Sequence, residues 1–178
     1  MIFEREKILR WQIASVIWVI VVGSLLHFTF RWSGNSPLAG AFSAVNESVW
    51  EHLKLGYWSM ILFFLIEYPF IKGYTNNYFF AKAIGIFAMN LFIVLFFYSY
   101  TALTGKHLLL LDIISYILGA VIYGIVSFKI MMSNINKNIN IIGLVLLIIF
   151  GALFIWFTYY PPRLPIFKDL ETGSYGIP

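Results

Sequence analysis

The chain has 178 residues, 61% of them hydrophobic and 11% charged, with a mean hydropathy of +0.84. A soluble domain carries about a quarter charged residues, so the composition excludes a soluble globular protein and leaves room for one polytopic membrane domain. There is no cysteine, which rules out disulfides, thiolate catalysis, Cys-ligated zinc and iron–sulfur clusters, and the net charge of +4, without a basic run or stacking platform, suits anionic lipid headgroups rather than nucleic acid.

A spanning helix needs about 20 mostly apolar residues. The first such run opens at Trp11 and closes at Phe30 without a small-residue cleavage site, so it is expected to be a retained helix rather than a signal peptide. Four more follow, giving five expected spans at 11–30, 46–71, 78–102, 107–130 and 139–160. Polar or turn residues separate them: Arg31 to Pro37, Lys72 to Asn77, Thr104 to Lys106, and Ser133 to Asn138. The expected architecture is an all-α polytopic bundle over residues 1–160, followed by an ordered proline-rich tail over 161–178. No internal repeat supports an inverted-repeat transporter.

Lys and Arg counts set the orientation. With the N-terminus inside, the cytoplasmic side holds Arg5, Lys7, Arg10, Lys72, Lys82, Lys129 and Lys137, against Arg31, Lys54, Lys106, Arg163 and Lys168 outside. The basic N-terminus tips the expectation to N-in. Whatever the absolute orientation, parity gathers all three histidines, His27, His52 and His107, at one level. Glu47, Glu51, Asp112, Asp169 and Glu171 join them. Ionisable groups in a bilayer usually face the bundle interior or a wet cavity, so a polar vestibule is expected on the extracytoplasmic side.

The densest polar stretch is Ser43-Ala44-Val45-Asn46-Glu47-Ser48-Val49-Trp50-Glu51-His52-Leu53-Lys54-Leu55. Asn46 or Ser43 is a good N-cap, with Glu47 in the first helical turn where the helix dipole favours negative charge. Glu47 and Glu51 would then share a face about 6 Å apart. Something must offset their repulsion: a cation, a shared proton, Arg31 or Lys54. Ser48 and His52 pair on an adjacent face. Two carboxylates and an imidazole on one turn suit a divalent cation or proton transfer; a salt-bridged interfacial helix start is the alternative.

His27 lies one turn before the end of the first helix, with Ser24 a turn earlier and Arg31 a turn later. It is either a hydrogen-bonded structural residue or part of the site. His107 reads as an interfacial residue at the lip of the fourth span. Asp112 lies roughly 8 Å below that lip, so it needs a partner, with His27, His52 or Arg31 as candidates. Glu67 is a second buried acid, served by Lys72 or Lys82 at the cytoplasmic interface or by a proton or ion path. The ligand candidates are therefore Glu47, Glu51, His52, His27, Asp112, Asn46, Ser48, Arg31 and His107. Glu51, His52, His27 and Asp112 are the candidate metal ligands.

The tail from Tyr159 to Pro178 is too apolar and too turn-specified for a disordered end. Its prolines stiffen an extended run, and Thr172-Gly173 reads as a turn. It is expected to pack across the vestibule mouth.

Leu26-His27-Phe28, Trp32-Ser33-Gly34, Val45 to Leu55, Tyr160-Pro161-Pro162, Leu164-Pro165, Asp169, Thr172-Gly173 and Tyr175-Gly176-Ile177 carry a resemblance over nearly the whole chain. It resembles a family of small bacterial integral-membrane proteins known only as a domain of unknown function. The resemblance implies a multi-pass protein of the bacterial inner membrane and brings no activity with it.

Three functions follow as expectations. One is a protein whose vestibule binds or transports a cation, a small polar molecule or a lipid headgroup. Another is a membrane-embedded enzyme, metal-dependent or acid/base, acting on a lipid-like substrate. The third is an assembly or accessory protein with no ligand. The expected partners are the lipid bilayer and a small molecule, cation or lipid. A divalent metal is the candidate cofactor.

Overall fold

The computed structural model describes residues 2–133, 135, 136 and 138–177. Met1, Asn134, Lys137 and Pro178 lie outside the described residues, and with them one of the lysines expected on the cytoplasmic side and the last residue of the tail. Six α-helices follow in order: α1 (Ile2–Trp32), α2 (Pro37–Gly40), α3 (Val49–Ile71), α4 (Tyr78–Thr104), α5 (Leu109–Met131) and α6 (Ile139–Tyr159). A 3₁₀ turn at Pro165–Phe167 and an isolated bridge between Lys168 and Tyr175 shape the tail. Among the described residues there is no β-strand.

Four helices, Glu4–Trp32, Tyr78–Thr104, Leu109–Met131 and Ile139–Tyr159, are long and apolar enough to cross a membrane. Their outer faces match that medium. Leu9, Ile13, Ile17, Val21, Leu25 and Phe28 form an exposed stripe along α1 at helical spacing. Ile141, Ile142, Val145, Ile148, Ile149 and Trp156 do the same on α6. Apolar surface this extensive is a membrane face in a helical protein. α3 carries Glu51, Lys54 and Glu67 and is not among the four.

The helix ends follow from local chemistry. α1 stops where Gly34 and Asn35 take left-handed φ of 70° and 61°. The Asn35 N–H donates to Phe30 O at 3.0 Å, closing the end in the manner of a left-handed C-cap. Pro37, preset for a first helical turn, starts the four-residue α2. Gly105, at φ 72°, ends α4 the same way. α3 runs through Pro69 to Ile71.

α4 packs along α5 and α6, and α1 packs along α3 and α5. Close approach depends on glycine. A Cβ on Gly143 of α6 would lie 2.1 Å from the backbone nitrogen of Phe80 on α4. One on Gly85 of α4 would lie 2.1 Å from Ser127 Oγ on α5. Small residues that let helix backbones meet are how helices associate in lipid, where the hydrophobic effect gives no help.

Two polar clusters bind the bundle at opposite ends. At the end formed by the starts of α1 and α4 and the ends of α3 and α5, Lys82 Nζ lies 2.6 Å from Glu67 Oε2. Gln12 and Tyr78 each donate to Glu67 at 2.8 Å, and Lys82 also donates to Tyr123 Oη at 2.8 Å. All five side chains are buried. Lys82 is thus the partner of Glu67, and Lys72 is not. The candidate site occupies the other end.

Candidate functional site

The second expected span does not begin at Asn46. The N-cap of α3 is Ser48, in extended conformation, whose hydroxyl accepts from the Glu51 N–H at 3.4 Å. The residues before it are held by their own hydrogen bonds. Ser43 Oγ donates to Leu26 O and accepts from the Phe30 N–H, at 2.5 and 2.8 Å, pinning the linker to the end of α1. Asn46 Oδ1 accepts from the Ser48 N–H at 2.9 Å, and Asn46 Nδ2 donates to Gly176 O in the tail at 2.8 Å. A side chain that can imitate a backbone turn wins here over simple helix extension. Neither Asn46 nor Ser43 caps the helix, and Glu47 is outside it.

That one shift separates the two carboxylates, which do not share a helical face. Glu51 turns into the bundle. Its carboxylate receives the Val45 N–H at 3.1 Å, the Thr158 hydroxyl at 3.0 Å and Lys54 Nζ at 2.5 Å. Lys54 also donates to Gly40 O at 2.8 Å and Thr158 Oγ1 at 2.7 Å. Glu51 and Lys54 are both buried. A lysine three residues on, buried with it inside the bundle, therefore offsets the Glu51 charge.

Glu47 turns the other way, toward α1. Its Oε1 lies 3.6 Å from His27 Nε2 and 3.7 Å from Arg31 Nη2, and its Oε2 lies 3.3 Å from His52 Nε2. The His27 and His52 rings stack, with centroids 5.2 Å apart and planes 24° from parallel. His52 Nδ1 is 2.8 Å from Ser48 O; only a donor can satisfy a carbonyl, so Nδ1 carries a proton. The Ser48–His52 pair therefore runs through the Ser48 backbone, not its hydroxyl. The hydrogen bond from His52, together with the charges of His52, His27 and Arg31, holds the Glu47 carboxyl below its ordinary pKa, against burial. His27, Glu47 and His52 present one ligand atom each within 4.8 Å of one another and could hold a metal ion. All three side chains are half-buried.

Beside this cluster a cavity of about 490 Å³ lies between α1, α3, α4 and α5. Its polar groups come from Ser24, His27, His52, Asp112, Ser115 and Tyr116; Ile20, Val49, Leu55, Ile93 and Phe97 give apolar walls. Phe28, Leu109, Ile113 and Ile117 line it and are also exposed on the outside of the bundle, so the gap between α1 and α5 has an apolar rim. Leu170 of the tail also lines the cavity.

Asp112 reaches the same cavity as His27 and His52, but its direct partners are different. Tyr100 Oη donates to Asp112 Oδ1, and His107 Nδ1 lies 3.7 Å from Oδ2. Neither Tyr100 nor the Asp112–His107 pairing is legible from spacing along one helix. The signal that could find them is parity: Tyr100 near the end of α4 and Asp112 near the start of α5 must face one another across a short turn. Ser115, a turn beyond Asp112, and Tyr116, whose hydroxyl donates to Val19 O at 2.9 Å, escape a reading along the sequence for the same reason.

The tail folds back over this end. Phe167 packs against Trp50 and Phe157, with ring centroids at 4.9 and 5.2 Å. Asp169 Oδ2 accepts from the Thr172 hydroxyl at 2.6 Å, Asp169 O accepts from the Gly173 N–H at 3.0 Å, and Gly173 adopts φ 75°. That is the turn expected at Thr172-Gly173.

Searches of curated proteins and of solved structures gave no match. Over residues 2–177 the chain matches the model described as "Family of unknown function (DUF6512)". Membrane-type helices bracketing a histidine–carboxylate cluster thus sit in a chain that belongs to this family, whose function is not known.

Proposed function

We propose that the protein is a five-span membrane protein of the bacterial inner membrane that binds an amphiphilic, lipid-like molecule. The apolar body lies in the cavity between α1 and α5, and the polar head meets His27, His52 and Asp112 on the extracytoplasmic side. One observation carries this reading: a cavity with apolar walls and an apolar rim that has His27, His52 and Asp112 toward one end. A water-soluble ligand has no use for an apolar rim open to lipid. About 490 Å³ falls in the range that encloses a drug-sized body, so it takes one chain segment rather than a whole two-chain lipid.

The charges of α3 do not count against its being the fifth span. Glu51 pairs with Lys54 and Glu67 with Lys82. None of the four faces lipid, and intramembrane charges that pair inside a bundle are the tolerated kind. Five spans with the N-terminus inside put the site and the tail outside, where the tail serves as a lid. A membrane-embedded, metal-dependent enzyme is the second reading, favoured by two imidazoles and a carboxylate at the cavity edge.

The test is native mass spectrometry of the protein released from lipid nanodiscs, with Ile113→Trp as the comparison. Ile113 lines the cavity at its exposed rim, so an indole there narrows the opening without touching the polar head. One amphiphile retained per wild-type chain, with occupancy lowered at least about tenfold in the variant, supports the proposal. No retained amphiphile, or equal retention in both proteins, overturns it.

A further inference from the structure

We infer that His27, Glu47 and His52 form a binding site for a divalent first-row metal ion of the zinc class, at the edge of the cavity. The site rests on the cavity proposed above, and separate readouts of metal and lipid keep the two distinguishable.

The spacing is the first ground. Two donors each about 2.1 Å from a tetrahedral zinc lie about 3.4 Å apart. His52 Nε2 lies 3.3 Å from Glu47 Oε2 and His27 Nε2 lies 3.6 Å from Oε1, the other oxygen of that carboxylate, and one donor atom from each of the three residues lies within 4.8 Å of the others, so small side-chain movements close the set on a metal. Two imidazoles and one carboxylate leave at least one coordination position open, which is the donor set of catalytic rather than purely structural sites.

The second ground is the tautomer of His52. Its Nδ1–H is committed to Ser48 O. In the neutral ring Nε2 then carries a lone pair, and it faces a carboxylate oxygen. A proton on that nitrogen makes the His52–Glu47 hydrogen bond; in the neutral ring the same lone pair and carboxylate oxygen are left for a cation to bridge. A histidine whose far nitrogen donates to a backbone carbonyl is also the usual way a protein orients a metal-binding imidazole.

The third ground is His27. Its Nδ1 is buried without a hydrogen-bond partner, so no protein group holds its ring in a tautomer that would deny Nε2 to a metal. His27 Nε2 and His52 Nε2 both face the Glu47 carboxylate.

Arg31 is the competitor. Its guanidinium lies 3.7 Å from Glu47 Oε1 but on a mostly exposed side chain, so it can swing into solvent when a cation arrives. Asp112 is not needed as a ligand, because Tyr100 and His107 already serve it. His27 and His52 also line the cavity, so a metal held there would be within reach of an oxygen of a bound headgroup.

The experiment strips the purified full-length protein with a chelator and titrates back zinc, iron(II), manganese and magnesium separately. Bound metal is read by inductively coupled plasma mass spectrometry, and retained lipid is measured on the same samples. The variants are His27→Ala, His52→Ala and Glu47→Gln, with Arg31→Ala as the opposite control and size-exclusion profiles as the check on folding. Expected is about one zinc per chain, with affinity lowered at least about 100-fold by each ligand variant and unchanged or tightened by Arg31→Ala. If a histidine variant fails to fold, the nearly isosteric Glu47→Gln decides the question. Less than half an equivalent of zinc in wild type, or zinc retained equally by Glu47→Gln, overturns the metal site. Zinc without lipid supports the metal and refutes the amphiphile; lipid without zinc does the reverse.

Discussion

Lys54 is fully buried, and its ammonium has three partners: Glu51, Gly40 O and Thr158. Removing one member of a buried ion pair leaves the other charge stranded, at about 3–5 kcal/mol. Lys54→Met should therefore lower thermal stability in detergent sharply, and the double variant Lys54→Met/Glu51→Leu should recover much of the loss. A double variant as unstable as the single would contradict the stranded charge as the cause of the loss. Asp112→Asn should lower amphiphile retention while leaving zinc stoichiometry unchanged, because Asp112 lines the cavity but stands outside the histidine–carboxylate cluster. The candidate residues are visible as residue types in the sequence. Their division is not. Which acid meets which cation turns on a short shift in the start of α3, decided by an Asn46 side chain that satisfies the Ser48 N–H. Short-range spacing rules place Glu47 and Glu51 together; the capping geometry sends them to opposite sides.

At the scale of elements, the linker before α3 and the tail are one unit. Asn46 ties Ser48 N–H to Gly176 O, and Phe167 fills the space beside Trp50. Asn46→Ala should loosen both ends at once. The readout is limited trypsinolysis: cleavage after Lys168 should be faster in Asn46→Ala than in wild type, with α-helix content unchanged. Equal rates would show that the aromatic contacts alone hold the tail. The positions of α4, α5 and α6 are legible from apolar run length within a few residues, since a spanning helix needs little else. The true reach of α1, beginning at Ile2 rather than Trp11, is not, because its first turns are amphiphilic and hold Ile8 and Gln12 in the bundle.

At the scale of the whole molecule, the helix order makes one end of the bundle polar around Glu67 and the other around Glu47. Parity of apolar runs predicts that polarity, and the packing of α4 along α5 and of α1 along α3 brings the expected helix ends together. Parity leads to the expectation of a polar vestibule; what it does not supply is the cavity's largely apolar walls, which come from side chains on four helices. A cysteine-free chain makes the topology easy to test: Lys106→Cys should react with an impermeant maleimide from outside intact cells, and Lys72→Cys only after the inner membrane is opened. Reversed labelling would put the site on the cytoplasmic side. Whether the cavity headed by His27 and His52 holds an amphiphile is best decided by electron cryomicroscopy of the protein in lipid nanodiscs. Elongated density is expected between α1 and α5, its polar end within hydrogen-bond reach of His52, about 3 Å. A cavity closed by Phe28 meeting Ile113, with no density inside, would refute amphiphile binding there.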